Sequence, residues 1–430
     1  MGNLKLQTVG KHLRGTLTMP GDKSISHRAV MLGSIASGDT HIKNLLDSQD
    51  VNSTITAMSN LGVTFDRDGD DLIVHGKSLD MLIEPTQMLN MENSGTSARL
   101  LMGLLAKQPF TLTFRGDSSL SKRPFGRVIK PLMAMGVSFV TKNDRLPITK
   151  LATKHLKGIT YELPVASAQV KSAIILAALQ ADSTTTIIEP IATRDHTERM
   201  LASFGVQLER DNNRIIVAPQ TKLTATNIQV PGDISSAAYW LVAALLVPDS
   251  ELTLQQVGIN PTRTGIINIL SRMGASFDLD KAKTTSEPMA NIRVQSQELH
   301  GTTVTATDVP TMIDEMPLVV LAATQAQGDT LITGASELHV KESDRIATVT
   351  TQLNKLGAHI EAKEDGFYVH GGTPLHVTEP TTVDSCGDHR VGMMLTIAAL
   401  ITEGDVSLAR ADAVNISYPQ FFEDLNEVLS

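Results

Sequence analysis

The chain has 430 residues, 41% hydrophobic and 19% charged, with a formal net charge of −9, long enough for two or three domains with cores of their own. The acidic balance and the 3% aromatic content argue against a nucleic-acid surface made of cations or stacked rings. The single cysteine, Cys386, excludes an internal disulfide and a cysteine-rich metal site and fits a reducing compartment.

Along the chain one pattern recurs: an apolar, Ala/Leu-rich helical stretch, a small polar turn, then a strand-like run. It reads "AVMLGSIASGDTHIKNL", "ARLLMGLLAKQPFTLTFRG", "SAIILAALQADSTTTIIEP", "AAYWLVAALLVPDSELTLQQV", "MPLVVLAATQAQGDTLITG" and "MMLTIAALITEGDVSLARA", turning near Asp39, Pro109, Asp182, Asp249, Asp329 and Asp405. These helices are apolar nearly all round and are therefore expected to be buried. A second helical pattern ends in glycine at Gly62, Gly136, Gly205, Gly274 and Gly357, the usual C-terminal stop before a strand. Six units of one kind point to an α/β fold of two pseudo-symmetric domains with three units each.

The triplet Pro-Gly-Asp occurs at 20–22 and again at 231–233. These marks predict a hinge, a first domain over 23–230, and a discontinuous second domain of 1–20 plus 233–430. A single six-unit solenoid is the competing reading, and the punctuation counts against it. The start, "MGNLKLQTVGKHLRG", has no apolar core of signal-peptide length, and the most apolar runs, such as Ala237 to Val247, are too short to span a bilayer, so the chain is expected to be cytoplasmic and to avoid membranes.

Basic and hydroxyl residues collect at the ends of these units. "PGDKSISHRA" sets Lys23, Ser24 and Arg28 at the start of a helix near Ser24, where free N–H groups favour an anion. "ENSGTSARLL" offers the N–H groups of Ser94, Gly95 and Thr96 as a cradle, and "SLSKRPFGRVIKPL" holds Arg123 off the helix before Pro124. Arg127 and Lys130 have the spacing of a solvated helix face. "PVASAQVKSA" reads as extended, with Ser167 and Gln169 on one side; "ATRDHTERML" carries Arg194 among internal ion pairs. In the second half, "MIDEMP" reads as a strand, so only one of Asp314 and Glu315 would face a given site. "HVKESDRIA" joins Lys341 and Glu342 to Arg345, and "CGDHRVGMM" adds Asp388, His389 and Arg390 at the start of another buried helix. No metal-ligand spacing, Walker loop or dinucleotide fingerprint is present, so neither a metal nor a nucleotide is implied. So many cations in an acidic chain point to one or two small multi-anionic ligands held between domains.

Seven stretches in order, "MPGDKSISHRA", "ENSGTSARLL", "SLSKRPFGR", "PVASAQVKSA", "RDHTERM", "HVKESDRIA" and "GDHRVGMM", resemble the motifs of the 5-enolpyruvylshikimate-3-phosphate synthase family, most closely its class II variants. The likeness runs from about Leu13 to the end. It implies two inside-out α/β domains, each of three βαβαββ units, that close on the first substrate. It implies transfer of the enolpyruvyl group of phosphoenolpyruvate to the 5-hydroxyl of shikimate 3-phosphate, by a monomer needing no cofactor and no macromolecular partner.

By the same resemblance Lys23, Ser24, Arg28, Ser167, Gln169, Arg194, Asp314 and Lys341 would meet shikimate 3-phosphate. Lys23, Gly95, Arg123, Gln169, Arg345 and Arg390 would meet phosphoenolpyruvate. Asp314 and Glu342 would move protons, assisted by Lys23, Lys341 and His389. Three positions depart from the family pattern: Glu92 where a small residue is expected, His339 in place of arginine, and Ile416 in place of a lysine. The sister transferases acting on UDP-N-acetylglucosamine carry a cysteine in the first-domain basic loop, whereas the cysteine here adjoins "GDHR". A non-catalytic sugar-phosphate binder would need none of Asp314, Lys341 and Glu342.

Overall fold

A computed structural model describes residues 3–69, 71–282 and 287–430. The chain divides into two compact units, 21–230 and 1–20 with 231–430. In the first, buried and surface helices alternate: α1 (Lys23–Ile35), α2 (Gln49–Asn60), α3 (Gly95–Leu104), α4 (Gly126–Ala134), α5 (Ala168–Ala178) and α6 (His196–Ser203). The second repeats this with α7 (Ile234–Leu246), α8 (Gly265–Arg272), α9 (Met316–Gln325), α10 (Arg345–Lys355), α11 (His389–Leu400) and α12 (Phe421–Val428). The odd-numbered helices are the apolar stretches of the repeat, and every residue of α11 is buried. The even-numbered ones bury one stripe only, as Ile266, Ile267, Ile269 and Leu270 do in α8.

Each unit carries three sheets among the described residues, and all six follow one plan. The strand after an odd-numbered helix lies inside its sheet, with a parallel neighbour on one side and an antiparallel one on the other. In the second repeat Leu112–Arg115 pairs in parallel with Leu89–Asn90 and antiparallel with Arg145–Lys150, which also pairs with Phe139–Lys142. The chain's beginning fills two such places in the second unit: Arg14–Thr18 runs parallel to Glu251–Gly258, and Leu4–Lys5 antiparallel to Val406–Ala409. The sheets alternate buried and exposed residues, as Arg145–Lys150 does. The apolar helices therefore lie inside each unit and the sheets cover them, an inside-out α/β domain. No helix among the described residues is long and apolar enough to cross a membrane.

Two sequence signals acquire physical causes. The helix-ending glycines at 62, 136, 205, 274 and 357 have φ between 86° and 110°, a left-handed conformation that costs a side-chain-bearing residue about 1–2 kcal/mol. The repeated Pro-Gly-Asp is a helix start. Asp22 accepts a hydrogen bond from Ile25 N at 2.9 Å and caps α1; Asp233 accepts one from Ser235 N at 2.8 Å and caps α7. Its glycine permits close approach: a Cβ on Gly21 would lie 2.1 Å from Asn44 O, and one on Gly232 2.6 Å from Met19 Cβ.

Each unit has its own, largely aliphatic core. In the first, α3 and α5 touch at Gly103, where a Cβ would lie 2.1 Å from Ala173 O. Gln180 Nε2 bonds the carbonyls of Gly103 and Leu104 at 3.2 and 2.9 Å, fixing that approach. Alanine is the better helix former by about 1 kcal/mol, but the backbone clash should dominate. Gly103→Ala is expected to cost about 2–3 kcal/mol and to lower the melting midpoint by roughly 5–10 °C. Met133→Ala on exposed α4 should shift it little. Equal midpoints for the two variants by calorimetry would reject the close-contact account.

Candidate active site

In unit 21–230 the buried helices α1, α3 and α5 bring their N-terminal ends together. Their caps are Asp22, Ser94 and Ser167, whose side chains accept from Ile25 N, Ser97 N and Val170 N. The "PVASAQVKSA" segment is thus a helix start and not an extended run. Ser167 turns its oxygen onto the helix, and Gln169 lies in its first turn. Gln169 Nε2 donates to Thr96 Oγ1 at 2.9 Å and its Oε1 accepts from Arg99 Nη1 at 3.0 Å, tying α5 to α3. Gly95 sits beside two guanidiniums: a Cβ there would lie 2.5 Å from Arg99 Nη1 and 3.6 Å from Arg123 Nη1. The expected cradle shrinks by one donor, because Ser94 N already bonds Met91 O at 2.8 Å.

Arg123 has extended backbone (φ −77°, ψ 143°) before Pro124 and donates to Asn93 Oδ1 at 2.9 Å. Arg127 and Lys130 are exposed, a solvated face as their spacing allowed. Glu92 stands at φ 47°, a left-handed conformation that glycine adopts without steric cost. Its exposed carboxylate is held by Asn90 Nδ2.

Lys23 opens α1 and pairs with Asp50 of α2 at 3.1 Å, the two side chains 20% and 10% exposed. Arg28 is buried one turn later and reaches three elements: Thr197 Oγ1 on α6 at 2.7 Å, Ser172 Oγ on α5 at 2.8 Å and Ser24 O at 2.8 Å. Burial, then the charges of Lys23 and Arg28, hold the pKa of His27 well below its ordinary value, so the imidazole stays neutral among the cations at neutral pH. It shares a 2.7 Å hydrogen bond with Thr54. Arg194 is half-buried two residues before α6. The loop presenting it is anchored by Lys171, wholly buried, whose Nζ lies 3.0 Å from Glu189, 2.8 Å from Glu198 and 3.3 Å from Thr193 O. Glu189 also accepts from Thr193 N at 2.8 Å. Sequence reasoning passed over both Lys171 and Arg99. Their signal was a long cation inside an otherwise apolar helix.

The second unit gathers its own set, at the N-terminal ends of α9, α10 and α11. Asp314 and Glu315 lie in the turn that leads into α9, not on a strand. Both therefore approach Arg390, at 3.7 and 4.0 Å, against the strand expectation that only one would share a site. Asp314 also lies 3.7 Å from Lys341 and 3.6 Å from Arg345. Arg345 is buried and clamped: Asp388 takes its Nε and Nη2 at 2.8 and 3.2 Å, and Glu342 takes Nη2 at 2.7 Å. Burial opposes its charge, but Asp388 and Glu342 outweigh burial and hold its pKa above the ordinary value. Its buried Nη1 finds no hydrogen-bond partner among the described residues and is the donor left for a ligand. In Arg390 burial is likewise outweighed, here by Asp314 and by Tyr239, Glu315 and Asp233, and its pKa is raised.

Asp388, at the helix start that "CGDHRVGMM" marks, caps α11 through Arg390 N at 3.0 Å while gripping Arg345. His389 follows it, buried, in the first turn of α11. His339 lies 2.8 Å from Asp344 and bonds Glu364 O at 3.0 Å. Its pKa is raised, by Asp344 first and the Glu364 carbonyl second. Ile416 ends a short 3-10 turn, Ala411–Ile416.

Each unit thus presents cations, hydroxyls and helix N-termini, an arrangement for binding small phosphate- and carboxylate-bearing molecules. The second unit adds carboxylates placed among the cations, as proton transfer requires. The family model for EPSP synthase (3-phosphoshikimate 1-carboxyvinyltransferase) matches residues 7–425. The 3-phosphoshikimate 1-carboxyvinyltransferase of Leuconostoc citreum (strain KM20) is 54% identical over 429 residues, 99% of this chain and 100% of that protein. The solved EPSP synthase from Acinetobacter baumannii aligns with a TM-score of 0.89 at 40% identity, covering 100% of both chains. The enolpyruvyl transferase NikO from Streptomyces tendae shares the fold, with a TM-score of 0.79 at 18% identity over 99% of this chain and 97% of that one. Ordered motifs, a threefold-repeated inside-out domain occurring twice, and a match over nearly the whole length make this chain a member of the EPSP synthase family.

Proposed function

We propose that the chain transfers the enolpyruvyl group of phosphoenolpyruvate to the 5-hydroxyl of shikimate 3-phosphate, releasing phosphate, and that it works in the cytoplasm as a monomer without a cofactor. The observation carrying this reading is the cation-ringed Asp314 beside the Glu342–Arg345–Asp388 clamp, in a chain with these relatives. Phosphoenolpyruvate must gain a proton at its methylene carbon, which makes C2 electrophilic. The attacking hydroxyl must lose its proton. The tetrahedral adduct then loses phosphate and a methyl proton to restore the vinyl group. One acid on carbon and one base on oxygen are needed, and Asp314 and Glu342 divide these tasks, with Lys23, Lys341 and His389 assisting.

In this reading Ser24, Arg28, Ser167, Gln169 and Arg194 hold shikimate 3-phosphate, with Lys23, Asp314 and Lys341 contributing. Arg123, Arg345, Arg390, Lys23, Gln169 and the N–H of Gly95 hold phosphoenolpyruvate. Arg345 offers Nη1 alone, since its other nitrogens are taken. Fixed cations around a developing anion stabilise charge without reorganising during the reaction, usually the largest single contribution to catalysis. Holding both substrates in register adds to this.

Phosphate should appear only when shikimate 3-phosphate and phosphoenolpyruvate are both supplied, and not when UDP-N-acetylglucosamine replaces the former. The opposite dependence would reject the assignment. Glu342→Ala should lower turnover by about 10²–10⁴-fold with the KM of both substrates within a few-fold of wild type; wild-type phosphate release would remove Glu342 from its role. Lys23→Met should weaken phosphoenolpyruvate binding and slow turnover by about 10²-fold or more, and unchanged kinetics would reject that placement.

A further inference from the structure

The hairpin His359–Lys363 and Gly366–His370 in the second unit carries a cluster that the transfer reaction does not use. His359 and His370 are cross-strand partners, and their rings stack with centroids 3.9 Å apart and planes at 21°. Glu361 is two residues beyond His359, so it lies on the same face of the ribbon. Its Oε1 is 3.5 Å from His370 Nε2. One ligand atom from each of His359, Glu361 and His370 falls within 4.8 Å of the others.

The surroundings favour one use of these nitrogens. His370 Nδ1 faces Asp329 Oδ2 at 3.7 Å. Asp329 is itself fixed by Tyr368 Oη at 2.7 Å and Gly371 N at 3.3 Å. With an ion held at Nε2, the nitrogen directed at Glu361, a proton on Nδ1 would face Asp329, the carboxylate arrangement found behind metal-bound histidines. Lys363 Nζ engages Glu361 at Oε2, 2.7 Å away, leaving Oε1 toward the imidazoles.

We propose that His359, Glu361 and His370 form a surface site for a divalent transition-metal ion of the zinc, nickel or copper class. Two imidazoles and one carboxylate suit these ions better than magnesium or calcium, which take oxygen ligands. Tetrahedral coordination at ~2.1 Å asks for ligand atoms about 3.4 Å apart, which side-chain rotation on this ribbon reaches. Water completes the shell on the solvent side. The ion would clip the two strands together at the end of the ribbon away from its turn. The Lys363 ammonium opposes the ion, so Lys363→Met should bind it more tightly.

The test is calorimetric titration of the full chain, in a Cys386→Ser background that removes the thiol, with Zn²⁺, Ni²⁺ and Mg²⁺. One Zn²⁺ or Ni²⁺ per chain is expected, and no Mg²⁺. His359→Ala and His370→Ala should each weaken Zn²⁺ at least tenfold, the double variant should abolish it, and Asp329→Asn should weaken it by about tenfold. Phosphate release by the metal-free double variant should match wild type, which establishes that it folds. Absence of saturable Zn²⁺ binding by the parent, undiminished binding by the double variant, or weaker binding by Lys363→Met would each overturn the proposal. None of these outcomes depends on which substrates the enzyme uses.

Discussion

A helix that is apolar nearly all round places most of its polar chemistry toward its ends, and this constraint organises each unit. Helices α1, α3 and α5 are packed into one core, so their exposed functions crowd into the first turn of each. A helix N-terminus brings unbonded N–H groups and a partial positive charge, so the place where polar residues must gather already favours anions. Lys23, Gly95 and Gln169 all lie within the first two positions of their helices. In the second unit α9 and α11 obey the same rule with different residues. Asp314 and Glu315 precede α9, and Arg390 lies in the first turn of α11.

Gathering cations at such a place creates repulsion, and the chain answers with carboxylates that orient as well as neutralise. Arg345 is clamped by Asp388 and Glu342, Lys171 by Glu189 and Glu198, and Lys23 by Asp50. Breaking a buried pair from one side costs about 3–5 kcal/mol, yet a well-packed apolar replacement of the whole pair is often no less stable. The value of these pairs therefore lies in geometry. Asp388 fixes which guanidinium nitrogen of Arg345 remains to donate. Lys171 fixes the loop from Glu189 to His196 on which Arg194 is carried.

Much of the fold was legible because its causes are local. The glycine stops require left-handed backbone, and the alternation after them follows the pleat. The two Pro-Gly-Asp triplets combine a close backbone approach with a helix cap, both dictated by residue type. The misread segments, "PVASAQVKSA" and "MIDEMP", are short polar stretches before apolar helices, where a period of two and a helix-capping turn look alike. Ser167 shows the difference only through its bond to Val170 N. Lys171 and Arg99 were missed for another reason. A charged residue within an apolar helix signals a partner, but that partner lies distant in sequence, as Glu189 and Gln169 do, and tertiary packing alone identifies it.

Two residues that the family resemblance did not anticipate, Glu92 and His339, are each accommodated by local contacts. At Glu92 the backbone demands φ near 47°, which any residue other than glycine adopts at a cost of about 1–2 kcal/mol. A carboxylate next to an anion cradle would also repel its ligand. Its bond to Asn90 answers the second problem by holding the charge on the solvent side, leaving a conformational cost that a large core absorbs. His339 pairs with Asp344, which raises its pKa, and bonds the Glu364 carbonyl. Both residues are exposed, whereas Gly95 and Arg345 in the same stretches are buried, so charge and size are less constrained at the former than at the latter.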